Sequence, residues 1–208
     1  MHNNGKKGQL IKYISSKPVI EKTVNQSRVF EINDKKISDE FVYLTSRDLR
    51  AEDNFALNFV GEKAKDFKVV HLKKNFETEG KNNFYLENLE ILRKNYELQN
   101  IDFEVKDENI ADFLSGLKNQ TIVTDFNPLI NSDVFENYQG KVYEVDTHNI
   151  IPARIASEKQ EYSAFTFRKK VYDKIYEYLT DFPKIKFSKN KGYAILEDFV
   201  KNKLKDYP

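Results

Sequence analysis

The residues able to do chemistry in this chain fall directly after short apolar runs. Ser46-Arg-Asp-Leu-Arg50 follows Phe41-Val-Tyr-Leu44, and His71 and Lys73 sit at the end of Lys68-Val-Val-His-Leu72. Asp125 closes Thr121-Ile-Val-Thr-Asp125, and Asp146-Thr-His-Asn149 follows Val142-Tyr-Glu-Val145. Arg47 and Arg50 suit pairing with carboxylates or with an anionic ligand. Asp48 and Asp53 suit capping of early helical turns. Asp125 reads equally well as a ligand-facing carboxylate or as a turn carboxylate. Catalytic sets are missing. The three histidines, His2, His71 and His148, show no HExxH spacing, and there is no cysteine to join them at a metal. A hydrogen-bonded structural role is the better reading of His148. The acidic residues are too scattered to nominate an acid/base couple. Gly61, Gly80, Gly116, Gly140 and Gly192 stand alone, so no glycine-rich phosphate loop is present, and there is no Gly-x-Ser-x-Gly elbow.

These clusters need elements to position them. Apolar runs predict strands at Phe41–Leu44, Lys68–Leu72, Ile101–Val105, Thr121–Asp125 and Val142–Val145. Arg28–Asn33 alternates like a short strand or an extended lead-in. Between the strands, helical spacing recurs. One helix begins at Asp48 to Asp53 and carries Phe55, Ala56, Phe59 and Val60. The next shows Tyr85, Leu89, Leu92 and Tyr96 on one face, and another Ile110, Phe113, Leu114 and Leu117. A short helix is expected near Asp133 to Tyr138. A long one is expected from about Ser157, with Tyr172, Ile175, Tyr176 and Leu179, ending by Pro183. The Lys-rich loop from Lys184 to Lys191 precedes a last helix with Tyr193, Leu196, Val200 and Leu204. Residues 1–27 read as an arm with a short helix at Leu10 to Ser15. Strands alternating with helices predict a doubly wound α/β domain of about five parallel strands, with helices on both faces. Its ligand-binding edge is the carboxyl ends of the strands.

Composition narrows the class further. The 208 residues suit one domain, and sixteen Phe and twelve Tyr supply a core without Trp. Thirty-four basic and thirty-three acidic residues leave +1, which makes no global case for nucleic acid. The last 55 residues, from Arg154, carry 13 basic and 8 acidic residues, or +5, leaving −4 elsewhere. A solvated Lys-rich surface explains that excess more simply than a phosphate-binding face. The absence of cysteine suits a reducing cytoplasm. No run reaches the roughly 20 apolar residues of a membrane helix, and the first thirty residues hold no secretory apolar core.

Three stretches resemble one family in wording and order. Glu144-Val-Asp-Thr-His-Asn-Ile-Ile-Pro152, running into Ala156-Ser-Glu-Lys-Gln-Glu-Tyr162, is similar to the end of the α/β domain of class II DNA photolyases. Ser46-Arg-Asp-Leu-Arg-Ala-Glu-Asp-Asn-Phe-Ala-Leu57 resembles the opening motif of the photolyase–cryptochrome superfamily. Val123-Thr-Asp-Phe-Asn-Pro-Leu129 resembles the class II Val-Thr-Asp-Phe-Ser-Pro-Leu, with Asn127 for Ser and Ile130 where Arg often follows. The lead-in Arg28-Val-x-x-Ile-Asn33 and the stretch Leu196–Tyr207 also look like family segments, so the likeness runs from Arg28 to Pro208.

The resemblance implies the antenna-side, N-terminal, Rossmann-like domain (residues 28–183) of a light-driven repair lyase for cyclobutane pyrimidine dimers. Residues 184–208 would lead towards a flavin-binding helical domain that this sequence does not contain. FAD, the catalytic residues and the contacts to damaged DNA would belong to that domain, so no catalysis is expected of this one alone. Its own cofactor would be an antenna chromophore, a deazaflavin or a folate. Topology points to Ser46, Arg47, Leu72, Lys73 and Asp125 as the residues around it. An interface orphaned on the last helix, with Tyr193, Leu196, Phe199, Val200 and Leu204, would leave an apolar patch or favour a homodimer. The alternative is a free-standing nucleotide-binding protein of the universal-stress or electron-transfer-flavoprotein type.

Overall fold

The computed structural model describes residues 19–20, 22–64 and 66–184. The expected helix at Leu10 to Ser15, the Lys-rich loop beyond Lys184 and the last helix with its apolar positions lie outside them.

The five expected strands are present. After β1 (Val19–Ile20) and β2 (Val29–Glu31) come β3 (Phe41–Thr45), β4 (Phe67–Leu72), β5 (Asp102–Lys106), β6 (Thr121–Asp125) and β7 (Val142–Val145), with β8 at Thr180–Asp181. The main sheet has six strands in the order β2-β7-β6-β3-β4-β5. All pairs are parallel except β2 with β7, which is antiparallel through Phe30 opposite Glu144. The lead-in thus forms a sixth, edge strand. A separate parallel pair joins β1 to β8. Within the stretch expected as an arm, Val24 is 1% exposed, and its N–H donates to Glu62 Oε1 at 2.6 Å.

Burial on both faces explains why the central strands are unbroken apolar runs. Every residue of β3, β6 and β7 is buried. Alternate residues feed two cores. Phe41, Tyr43, Val69, Val123 and Tyr143 meet α1 (Phe55–Lys63) and α2 (Glu79–Leu98) on one face. Val42, Leu44, Val70, Ile122 and Val142 meet α3 (Ile110–Gly116) and a 3-10 turn (Ser132–Phe135) on the other. Helix α2 buries the predicted stripe of Tyr85, Leu89, Leu92 and Tyr96, each worth about 2 kcal/mol of apolar transfer.

Two helical starts differ from the expectation. The first helix begins at Phe55, capped by the Asn54 side chain, which accepts from Leu57 N–H at 2.9 Å. Residues 46–53 are a turn, with Asp53 at φ 49°, so neither Asp48 nor Asp53 caps a helix. The long helix expected from Ser157 is broken. A single turn, α4 (Ala153–Ala156), is followed by extended chain at Ser157 before α5 (Ala164–Tyr178). Side chains hold the break: the Ser157 hydroxyl and Lys170 Nζ both bond Glu161 Oε1, at 2.8 Å and 2.5 Å. The Lys170 bond is the main reason the Glu161 carboxyl lies low, at about 2. Ser163 then caps α5. Below, Ile155, Val171 and Ile175 pack with buried Ile151 and Tyr178.

Candidate functional site

The chain leaves β3 towards one face and β6 towards the other, so the switch point of the sheet lies between these neighbours. Open α/β sheets bind ligands beyond the strands' carboxyl ends at such a point. Here the two strand ends are pinned together. Asp125, 1% exposed at the end of β6, accepts N–H bonds from Ser46 at 2.6 Å, Arg47 at 2.7 Å and Asp48 at 3.0 Å. The Thr45 hydroxyl donates to Asp48 O at 2.6 Å, and the Asp48 carboxylate holds Arg50 through Nε at 2.7 Å and a terminal nitrogen at 3.0 Å. These bonds hold the chain after β3 in a turn, and the first helix starts only beyond it, at Phe55. Burial raises the Asp125 carboxyl above its usual range; the three amide bonds oppose the shift and Asp48 adds to it.

Beside this turn, β4 ends in a polar relay. His71 is fully buried. A carbonyl can only accept, so Nδ1–H donates to Thr45 O at 2.9 Å, and Nε2 then accepts from the Tyr85 hydroxyl at 2.7 Å. The same hydroxyl accepts from Lys74 N–H at 3.0 Å, while Lys74 Nζ donates to Ser46 O at 2.7 Å. Burial lowers the imidazole below its ordinary value and keeps it neutral. The relay ties α2, β4 and the β3 turn into one unit. His148, by contrast, is exposed on its turn. The structural histidine is His71, and the expectation for His148 is corrected: three residues past the end of β7, after the buried Asp146 and Thr147, the turn already faces solvent.

The turn after β7 is held from inside. Asp146 accepts from Asn149 N–H at 3.1 Å and from Ala153 N–H at 2.7 Å. Arg28, 2% exposed, donates to the carbonyls of Asp146 at 3.3 Å, Asn149 at 2.8 Å and Ile150 at 2.6 Å. Its guanidinium lies 4.1 Å from the Phe55 ring centroid. Nearby, Glu144 meets Arg154 at 2.6 Å, and Arg154 covers the Phe30 ring at 4.7 Å. Burial raises the Glu144 carboxyl, with Arg154 opposing.

Between the β3, β4 and β6 ends opens a cleft of about 280 Å³. Leu44, Leu72, Ile110, Ile130 and Phe135 make its walls apolar, and Ser46, Lys73, Asn127, Asp125 and Glu144 bring polar groups to it. Such a mixture, mostly apolar with a few polar groups, characterises small-molecule sites.

The chain matches no family model. Among curated proteins, the deoxyribodipyrimidine photo-lyase of Potorous tridactylus is 35% identical over 190 residues, 80% of this chain and 36% of that protein. Those of Arabidopsis thaliana and Oryza sativa subsp. japonica are 35% and 41% identical over 97 and 75 residues. These are 43% and 31% of this chain, and 20% and 15% of those proteins. This chain is related to the photolyases. It spans about a third of the length of the marsupial relative.

Within this photolyase-related region, four of the five expected site residues meet at the cleft. Ser46, Leu72, Lys73 and Asp125 line it. Arg47 does not; its side chain is exposed and its backbone N–H faces Asp125. Sequence reasoning missed Glu144, whose signal was an acid inside an otherwise apolar strand. Arg28 was also missed, since its partners lie more than a hundred residues away. Among the described residues, no group of three His, Asp or Glu side chains is placed to hold a metal. No helix among them is long and apolar enough to cross a membrane.

Proposed function

We propose that this chain carries the antenna-side α/β domain of a class II cyclobutane pyrimidine dimer photolyase. The observation that carries the reading is the strand-end cleft, in a chain 35% identical over 190 residues to a photo-lyase. The class rests on the wording of Val123–Leu129 and Glu144–Pro152. In the whole enzyme, FAD in a helical domain repairs a dimer flipped out of the duplex. The α/β domain holds a light-harvesting pigment, a deazaflavin or a folate, which passes excitation to that flavin.

The chemistry of the cleft supports a planar ring. Leu44, Leu72, Ile110 and Phe135 offer apolar contact to its faces. Ser46, Lys73 and Asp125 frame one edge, with Arg47 contributing through the backbone of the turn. Glu144 also lines the cleft, with its Oε1 held by Arg154 at 2.6 Å.

Fluorescence titration of the full chain tests the reading, with a deazaflavin, methenyltetrahydrofolate, flavin mononucleotide and ATP as probes. Saturable binding of one of the first two, lost in Leu72→Glu, is the expected result. Failure of both pigments, or tight binding of ATP in their place, would overturn it.

A further inference from the structure

We infer that Asp125 is a built-in anion that closes the β3 turn against phosphate, so that the cleft selects ligands carrying no phosphate at this end. The inference rests on the ligand-binding reading of the cleft and narrows the class of ligand. In doubly wound sheets the turn after the first parallel strand is where backbone amides cradle a phosphate. Successive N–H groups converging on one point make such an anion nest. This chain has the converging amides: those of Ser46, Arg47 and Asp48 all point at one carboxylate, within 2.6 to 3.0 Å. The carboxylate belongs to the protein itself and is 1% exposed.

The surrounding charges strengthen the exclusion. Asp48 is 1% exposed and Glu144 7%, so a phosphate would face three buried acids. Three of the neighbouring cations are engaged elsewhere, and the Arg47 side chain is exposed. Arg50 is forked onto Asp48, Lys74 Nζ donates to Ser46 O and Lys73 Nζ to Asp107 at 3.2 Å. The turn also has no glycine, the residue that lets a backbone approach a pyrophosphate closely. A phosphate would have to displace Asp125 from three charge-assisted bonds before it could make its own.

The test is a titration of the full-length chain with inorganic phosphate, read at the amide resonances of Ser46, Arg47 and Asp48, with chloride matching ionic strength. Wild type is expected to show no saturable shift. Asp125→Ala, which empties the nest, is expected to show saturable, phosphate-specific shifts and a gain in thermal stability, with affinity at least about tenfold above wild type. Should that variant not fold, Asp125→Asn removes the charge at nearly constant volume and is read in the same way. Saturation of those amides in wild type, or a folded variant no more responsive than wild type, overturns the inference. If neither variant folds, wild type alone decides: a saturable shift refutes it, and silence supports it. Pigment binding is a separate titration, so failure of one reading is distinguishable from failure of the other.

Discussion

Replacing Arg28 with alanine should loosen the whole carboxyl edge of the sheet. The side chain is 2% exposed and donates three bonds to the backbone of the β7 turn, from Asp146 to Ile150. It also stacks a cation on Phe55, the first residue of α1. Charge-assisted bonds contribute roughly 1.5 kcal/mol each, and the 3.3 Å bond to Asp146 less. The contact with the ring adds about 1 kcal/mol. Against this, deletion removes the desolvation penalty of a buried guanidinium. The balance is a loss of about 3 kcal/mol, a large part of the 5–15 kcal/mol that holds a typical domain. For a chain of this size that corresponds to a fall in Tm of about 10 °C. Arg28→Lys keeps the charge but loses the fork that reaches three carbonyls, so it should fall between wild type and alanine. Urea denaturation of all three proteins gives the stability differences. Hydrogen exchange in residues 146–155 shows whether the loss begins at the turn. An alanine variant within about 1 kcal/mol of wild type would refute the clamp, because ordinary surface substitutions reach only about half that.

Three further outcomes can be measured by the same means. Because His71 is neutral and lowered in the fold, its contribution to stability is complete above the unfolded value near 6.5 and declines as pH falls towards its folded value; urea midpoints across this range should show the slope in wild type and a flatter one in His71→Gln. Gly140→Ala should lose about 2 kcal/mol in thermal unfolding, because its Cβ would lie 2.3 Å from Gln120 O and 2.7 Å from the Tyr138 ring. Arg154→Ala should destabilise by about 2 kcal/mol, since it strands a buried Glu144, whereas the double variant with Glu144→Gln should recover most of the loss; a loss undiminished in the double variant would show that the pair is not coupled.

The strands were legible because two-sided burial leaves an unmistakable apolar run, as in Phe41–Thr45. The α2 face was legible because Tyr85, Leu89, Leu92 and Tyr96 repeat at helical spacing. What was not legible came from bonds between residues distant in sequence. Asp48 and Asp53 look like a helix start in isolation; Asp125, 77 residues beyond Asp48, holds that stretch as a turn together with Thr45 and Arg50. The same holds for Arg28, which reads as one basic residue before a short strand until its carbonyl partners, 118 to 122 residues on, are in place. Glu144 and Arg154 were individually unremarkable; their pairing needs α4 placed beside β7. The break at Ser157 had local signals, a serine and an acid four residues apart, but these also fit the capped start of a helix.

Two turns at the carboxyl edge of the sheet share one construction. Each is held by an aspartate at or just past the end of a parallel strand, Asp125 on β6 and Asp146 after the adjacent β7. Each carboxylate gathers backbone N–H groups that would otherwise point into solvent or into a helix. A carboxylate bonded in this way fixes several backbone dihedrals at once. The β3 turn that borders the cleft is therefore fixed by the protein's own bonds. The same economy limits what the edge can recognise. Amides committed to the protein's own carboxylates are not available to a ligand's phosphates. On the ligand-binding reading proposed above, recognition passes instead to the apolar walls, Leu44, Leu72, Ile110 and Phe135, and to the polar groups of Ser46 and Lys73.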